Sequence, residues 1–320
     1  MTNASAKYRA CLPQFSNQLF LTDGGLETTL IFHDGIDLPH FASFDLLKNA
    51  EGTEHIRRYY ARYAKLARDA SLGFVLEGVT WRANPDWAAK LGYSRAALAD
   101  INRKSIELML SVRDEFERPG APMVISANIG PRGDGYQPGA LMSAREAEAY
   151  HAEQIGVFRD TAADLVSGFT LNYANEAIGI ARAAKAADLP VVISLTVETD
   201  GRLPSGQSLA DAIAQIDEAT SASPAYYMVN CAHPTHFIHS LGSTGEWVGR
   251  IRGVRANAST MSHAELDAAT ELDRGDLDLL ADGYAKLSTV LDLRVIGGCC
   301  GTDHEHVQSV YDRLVPDRAV

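Results

Sequence analysis

Short apolar runs alternate with longer amphipathic stretches eight times along this 320-residue chain, and that rhythm limits the fold more than any other feature. The runs lie at 19–22, 74–77, 123–128, 165–170, 190–196, 226–230, 253–258 and 294–296. Helical stretches follow near 54–69, 95–117, 143–163, 175–187, from 208, at 277–291 and at 303–314, with a short one capped by Ser262. Ser143-Ala144-Arg145-Glu146 has the spacing of a capping box. Apolar strands that each return through a helix argue for a parallel sheet, and eight such units predict a closed (β/α)8 barrel. No low-complexity linker or charge block interrupts the pattern, so residues 1–320 are read as a single domain.

A barrel of this kind places its chemistry where the strands end. The polar residues at those ends are Asp23, Glu77, Thr80, Asn128, Thr170, Thr196, Asn230, Cys231, Asn257, Cys299 and Cys300. Three of the four cysteines are in that set, whereas Cys11 precedes the first strand and is given no role. Cys299 and Cys300 are adjacent within Gly297-Gly298-Cys299-Cys300-Gly301. Neighbours in a straight strand point to opposite faces, and the flanking glycines permit backbone angles that let both sulfurs turn inward. Together with Cys231, these thiolates would hold zinc and leave one position open, as catalytic zinc requires. The plainer alternatives are buried packing cysteines or a vicinal Cys299–Cys300 disulfide.

Composition narrows the substrate. A net charge of −12 disfavours nucleic acid, which needs a basic face. No stretch approaches a membrane span, the N-terminus lacks a signal-like apolar segment, and sparse cysteines suit a reducing compartment, so the cytoplasm is expected. Zinc held by three thiolates activates water poorly, but it binds a further thiol as the nucleophilic thiolate. The residues thus point to methyl transfer from a small donor to a thiol acceptor. A non-catalytic redox or metal-holding barrel is the alternative. Asp23-Gly24-Gly25 is either a tight turn or a carboxylate at the mouth, with glycines that admit a ligand. Glu77 is a second carboxylate there, or is solvated. Trp81, Trp87, Tyr136, Phe169 and Tyr173 fall in or near the loops at that end, where they either pack, as most barrel aromatics do, or hold an onium group on their faces. His233, His236 and His239 recur every three residues, either as a solvated helix face or as the source of a further ligand.

These residues resemble the homocysteine S-methyltransferases, a family that includes betaine–homocysteine and S-methylmethionine–homocysteine methyltransferases. Gly297-Gly298-Cys299-Cys300-Gly301 with Asn230-Cys231 carries the likeness most specifically, and Asp23-Gly24-Gly25, Thr80-Trp81-Arg82-Ala83, Gly130-Pro131-Arg132-Gly133-Asp134 and Leu203-Pro204-Ser205-Gly206 extend it along nearly the whole chain. The resemblance implies a zinc-bearing barrel that methylates homocysteine to methionine, with Cys231, Cys299 and Cys300 on the metal and Asp23 on the substrate. Gly24, Gly25, Asn128, Thr170 and Asn230 are further expected substrate contacts. One position departs. The family has Glu-Thr at the end of the fourth strand, where the glutamate meets the homocysteine ammonium, and this chain has Phe169-Thr170. Either Glu77 or Glu198 meets the amine, or the acceptor is a different thiol. The donor is expected to be a small sulfonium or quaternary ammonium, and the protein a monomer or dimer.

Overall fold

The computed structural model describes residues 6–242 and 245–315. Eight parallel strands close into a barrel in sequence order: β1 (Phe20–Leu21), β2 (Gly73–Glu77), β3 (Met123–Ile129), β4 (Leu165–Leu171), β5 (Val191–Leu195), β6 (Tyr226–Asn230), β7 (Ile251–Ala256) and β8 (Val295–Gly298). Closure is made by β8 on β1, with Phe20 opposite Val295 and Leu21 opposite Ile296. The outer layer holds α1 (Ala50–Asp69), α2 (Arg95–Phe116), α3 (Ala144–Arg159), α4 (Ala174–Ala186), α5 (Leu209–Thr220), α6 (Leu277–Leu287) and α7 (His304–Leu314). After β6 the described residues form short turns, Pro234–Phe237, Ile238–Gly242 and Glu246–Arg250. The eightfold alternation read from sequence is therefore the observed architecture. The helix starts are fixed by side-chain caps: Ser143 and Glu146 exchange both bonds of a capping box, Ser262 and Glu265 do the same, and Ser208 accepts from Asp211 N.

Alternation along each strand sorts side chains into two cores. Outward residues pack under the helices, and inward residues form their own apolar layer from Phe20, Val75, Val124, Leu165, Val192, Tyr226, Met228 and Val295, with Leu12 packed against it. The next inward positions toward the strand ends are polar. Ser126 and Ser167 share a hydrogen bond of 2.7 Å, Ser194 donates to Asn230 at 2.7 Å, and Glu77 and Arg255 are both buried there. The apolar layer thus closes the barrel below, and the chemistry-bearing residues lie above it.

Candidate active site

Two strand ends leave regular geometry where the sulfurs gather. Cys231, directly after β6, has φ +56°, and Thr170 in β4 has φ +60°. Such angles cost a β-branched or bulky residue about 1–3 kcal/mol and persist only where neighbours enforce them. Here Asn230 enforces them. Its side chain accepts from Thr170 N at 3.0 Å and donates to Thr170 Oγ1 at 2.9 Å, while the β4–β5 register shifts between Gly168 and Leu171. The Cys231 carbonyl is held in turn by Asn257 Nδ2 at 3.0 Å and by His263 Nε2 at 2.6 Å.

On the β8 side the glycines act differently from the sequence expectation. Gly301 is left-handed at φ +79°, whereas Gly298 is needed for space, since a Cβ there would lie 2.0 Å from Thr302 Oγ1. Gly24 and Gly25 are not open to a ligand either. A Cβ would meet the Tyr63 hydroxyl at 2.7 Å in the first case and the Cys299 carbonyl at 2.6 Å in the second. The Asp23-Gly24-Gly25 turn is the bed on which the cysteine loop rests.

The result is a cluster of three sulfurs, Cys231, Cys299 and Cys300, all within 4.8 Å of one another. Cys231 and Cys299 are joined as a disulfide, with Cα atoms 5.4 Å apart, and Cys300 is a free thiol. The vicinal Cys299–Cys300 bridge is therefore not the pairing that forms; the bond runs between strand ends. Cys300 faces the mouth as an exposed residue, with its sulfur 3.7 Å from the Tyr136 hydroxyl. Thr170 Oγ1 lies 3.9 Å from Cys231 Sγ.

Around the sulfurs sits a buried charge network that sequence reading missed. Arg255, inward on β7, reaches Asp23 Oδ1 at 3.0 Å and donates to the carbonyls of Gly298 and Gly24 at 3.0 and 3.1 Å. One guanidinium therefore ties β7 to the turn after β1 and to the strand carrying the cysteine pair. Burial opposes its charge, and the Asp23 and Glu77 carboxylates outweigh that, so its pKa lies above the ordinary arginine value. Asp23 is completed by Thr22 at 2.9 Å and Tyr59 at 3.0 Å. The Phe169 ring fills the space beside Arg255, its centroid 5.2 Å from the guanidinium carbon.

Of the remaining predicted residues, Glu77 is buried, its Oε2 has no hydrogen-bond partner, and burial raises its pKa to about 7 against the pull of Arg255. A carboxyl with a raised folded pKa binds its proton more tightly when folded, so its contribution falls as pH rises from about 4.5 to about 7. Glu77→Gln removes this dependence. Its urea midpoint relative to the parent is expected to rise across that window, by up to about 3 kcal/mol in stability; a flat difference would show that Glu77 titrates normally. Glu198 is half-buried and engaged with His263 Nδ1 at 3.0 Å. Asn128 gives its backbone carbonyl to Thr80 Oγ1 at 2.6 Å, and its own Oδ1 is buried without a partner.

The aromatic residues do not form an empty cage. The Arg82 guanidinium lies over both Trp81 and Trp87, 4.7 and 3.7 Å from the ring centroids. Tyr136 stacks against His263 at 4.3 Å. The histidine triplet also departs from expectation: His233 and His236 are buried and only His239 is exposed. Burial holds His233 near a pKa of about 4, keeping it neutral. Glu27, unnoticed in the sequence, is a further carboxylate beside the cysteine loop; it accepts from Ser43 at 2.8 Å, and burial raises its pKa.

Comparison with known proteins agrees with this geometry. A family model described as homocysteine S-methyltransferase matches residues 20–314. No curated protein matches the chain. Among solved structures, the homocysteine methyltransferase MmuM from Escherichia coli in its oxidized form superposes with a TM-score of 0.73 at 22% identity, covering 95% of this chain and 98% of that one. Its metallated form gives 0.71 at 21% identity over 94% and 98%, and its apo form 0.65 at 20% over 95% and 98%. At these identities the structural likeness speaks for the shared barrel, and the family model speaks for kinship. The chain belongs to the homocysteine S-methyltransferase family and is a methyl-transferring enzyme.

Proposed function

We propose that this protein is a zinc-dependent thiol methyltransferase that takes its methyl group from a small sulfonium or quaternary-ammonium donor. The observation that carries the reading is the convergence of three cysteine sulfurs from two strand ends at the barrel mouth. The donor set fits zinc. Tetrahedral zinc binds sulfur at about 2.3 Å, which needs three thiolates mutually close and a fourth position free. Cys231, Cys299 and Cys300 would hold the ion, and the Cys231–Cys299 disulfide must first be reduced to two thiols. When bound, zinc supplies a site at which an incoming thiol loses its proton at neutral pH.

The chain's own groups do the rest. Asn257 and His263 fix the Cys231 carbonyl, and Asn230 fixes Thr170 beside the sulfur. Arg255 sets Asp23 against the cysteine loop. Asp23→Asn is expected to retain zinc and to lose transfer activity by about 10- to 100-fold, the usual effect of an outer partner of a metal site. Zinc loss in that variant, with the barrel intact, would place Asp23 on the metal instead.

The charges at the mouth bear on the acceptor. Asp23 is paired with Arg255, Glu198 with His263, and burial biases Glu77 and Glu27 toward their neutral forms. Phe169 offers no charge. Beside the sulfurs, an α-ammonium therefore meets carboxylates that are already paired or biased toward neutral, and a buried unpaired charge is expensive. The acceptor class that suits this mouth is a thiol without an α-ammonium, with homocysteine a weak acceptor. A donor-by-acceptor screen with the reduced, zinc-loaded protein tests this. Transfer to homocysteine as efficient as to its des-amino analogue would overturn the acceptor assignment.

The disulfide favours a second reading, a redox barrel. It requires that reduced protein offered zinc bind none, and that thiol transfer be absent from the same screen.

A further inference from the structure

Arg82 is a charged group that the proposed reaction has not used. It follows β2, is only half-buried as a residue, and makes no ion pair among the described residues. Its Nε is buried without a hydrogen-bond partner. Trp81 and Trp87 flank its guanidinium, and the Trp81 ring is anchored. Trp81 Nε1 reaches the Phe169 carbonyl at 3.3 Å, and a Cβ on Gly130 would strike its indole. The Trp87 backbone N–H donates to the helix cap Asn84, and Lys90 Nζ lies 3.7 Å from the Trp87 ring centroid. An arginine so stacked is presented rigidly, with little freedom left to lose on binding.

Its location is the barrel mouth. Trp81 lies 3.6 Å from a Cβ on Gly135, and that same Cβ would touch the Thr170 methyl at 2.8 Å. Thr170 adjoins Cys231, and the next residue of the loop, Tyr136, adjoins Cys300. Arg82 is thus one ring removed from the residues that border the sulfurs. Burial penalises its charge, and Asp134, Glu27 and Tyr136 face it without closing an ion pair.

We propose that Arg82, held between Trp81 and Trp87, binds the carboxylate of one of the two reacting molecules. This rests on the thiol methyltransferase reading. The guanidinium fork suits a carboxylate through two parallel bonds, and the buried Nε is the donor that lacks its acceptor. Arg82 is left without an ion pair among the described residues, whereas the neighbouring cation Arg255 is neutralised by Asp23. The carboxylate belongs to the thiol acceptor or to the sulfonium donor, and the chemistry at Arg82 is the same.

The test uses reduced, zinc-loaded full-length protein and its Arg82→Gln and Arg82→Lys variants, with matched pairs of probes. The acceptors are 3-mercaptopropionate and 2-mercaptoethanol, and the donors are dimethylsulfonioacetate and trimethylsulfonium. Arg82→Gln should raise the KM ratio of charged to uncharged probe by about 10- to 100-fold in one of the pairs, the size of a lost charged hydrogen bond. The pair that responds identifies which molecule bears the carboxylate. Arg82→Lys, which keeps charge without the fork, should fall between the two; if Arg82→Gln does not fold, the lysine variant decides by the same ratio. Titration of tryptophan fluorescence with the two carboxylate probes gives a binding readout independent of turnover, and the response should weaken in Arg82→Gln. Unchanged KM ratios in both pairs, or an unaltered fluorescence response, would overturn the proposal. Failure of the parent protein to methylate any thiol would overturn the underlying reading instead, and the fluorescence titration would still decide the role of Arg82.

Discussion

Replacing Cys231, Cys299 or Cys300 by alanine is expected to abolish stable zinc binding and to cut methyl transfer by well over about 100-fold, while the barrel stays folded. The lower bound follows from outer-sphere partners, whose loss already costs 10- to 100-fold in metal affinity or activity. All three sulfurs lie within 4.8 Å of one another, so removing any one leaves two ligands at a site that needs three. None of the three underlies the apolar layer inside the barrel, which is built from Phe20, Val75, Leu165, Met228 and their neighbours. Circular dichroism should therefore match the parent. Full zinc occupancy in any one variant would remove that cysteine from the ligand set.

Arg255 carries the second large effect. Its guanidinium is bonded to the Gly298 and Gly24 carbonyls and to the Asp23 carboxylate, and its charge faces Glu77 as well. Arg255→Met keeps the stem length and removes the charge. Asp23 is then buried beside Glu77 without a cation, a change that typically costs 3–5 kcal/mol. The expected result is a urea unfolding free energy lower by about that amount, together with weaker zinc retention, because Gly298 precedes Cys299. Arg255→Lys should recover only part of the loss, since an ammonium cannot bond the carboxylate and both carbonyls in one plane. A change below about 1 kcal/mol in Arg255→Met would show that the pair is held by solvent rather than by burial.

These two sites differ in how far the sequence reveals them. The barrel is legible because strand and helix periods alternate cleanly, and parallel strands put every strand end on one side. The three cysteines are legible because each stands at such an end. Arg255 is not, because it lies within the run Gly253-Val254-Arg255-Ala256, where a charge reads as a solvated break. Its partner Asp23 is 232 residues away, and only closure of the barrel brings them together. The inward period of β7, counted from Gly253, would have placed Arg255 beside the mouth. Glu27 and His263 were equally hidden. Each follows a strand by a few residues, and its orientation depends on a loop that periodicity does not describe. The segment between β1 and α1 folds as short helical turns, Thr29–His33, Pro39–Phe41 and Ser43–Lys48, too brief to leave a period in the sequence. The glycines are visible in the sequence, but the reason for them is not. Gly25 and Gly298 serve close packing of the cysteine loop, and the strained angles lie instead at Thr170 and Cys231, residue types that carry no signal for them. Phe169 was read as a lost ammonium contact. The structure adds that its ring packs beside the buried Arg255 guanidinium.

The central claim is that the three cysteines form a metal-dependent site for a thiol. Its most direct test is the zinc content of full-length protein purified without chelator, under reductant, measured alongside a count of free thiols. About one zinc per chain is expected, with Cys231, Cys299 and Cys300 protected from alkylation until the metal is stripped. A metal-free protein whose three thiols are reduced and freely alkylated in the presence of added zinc would contradict it.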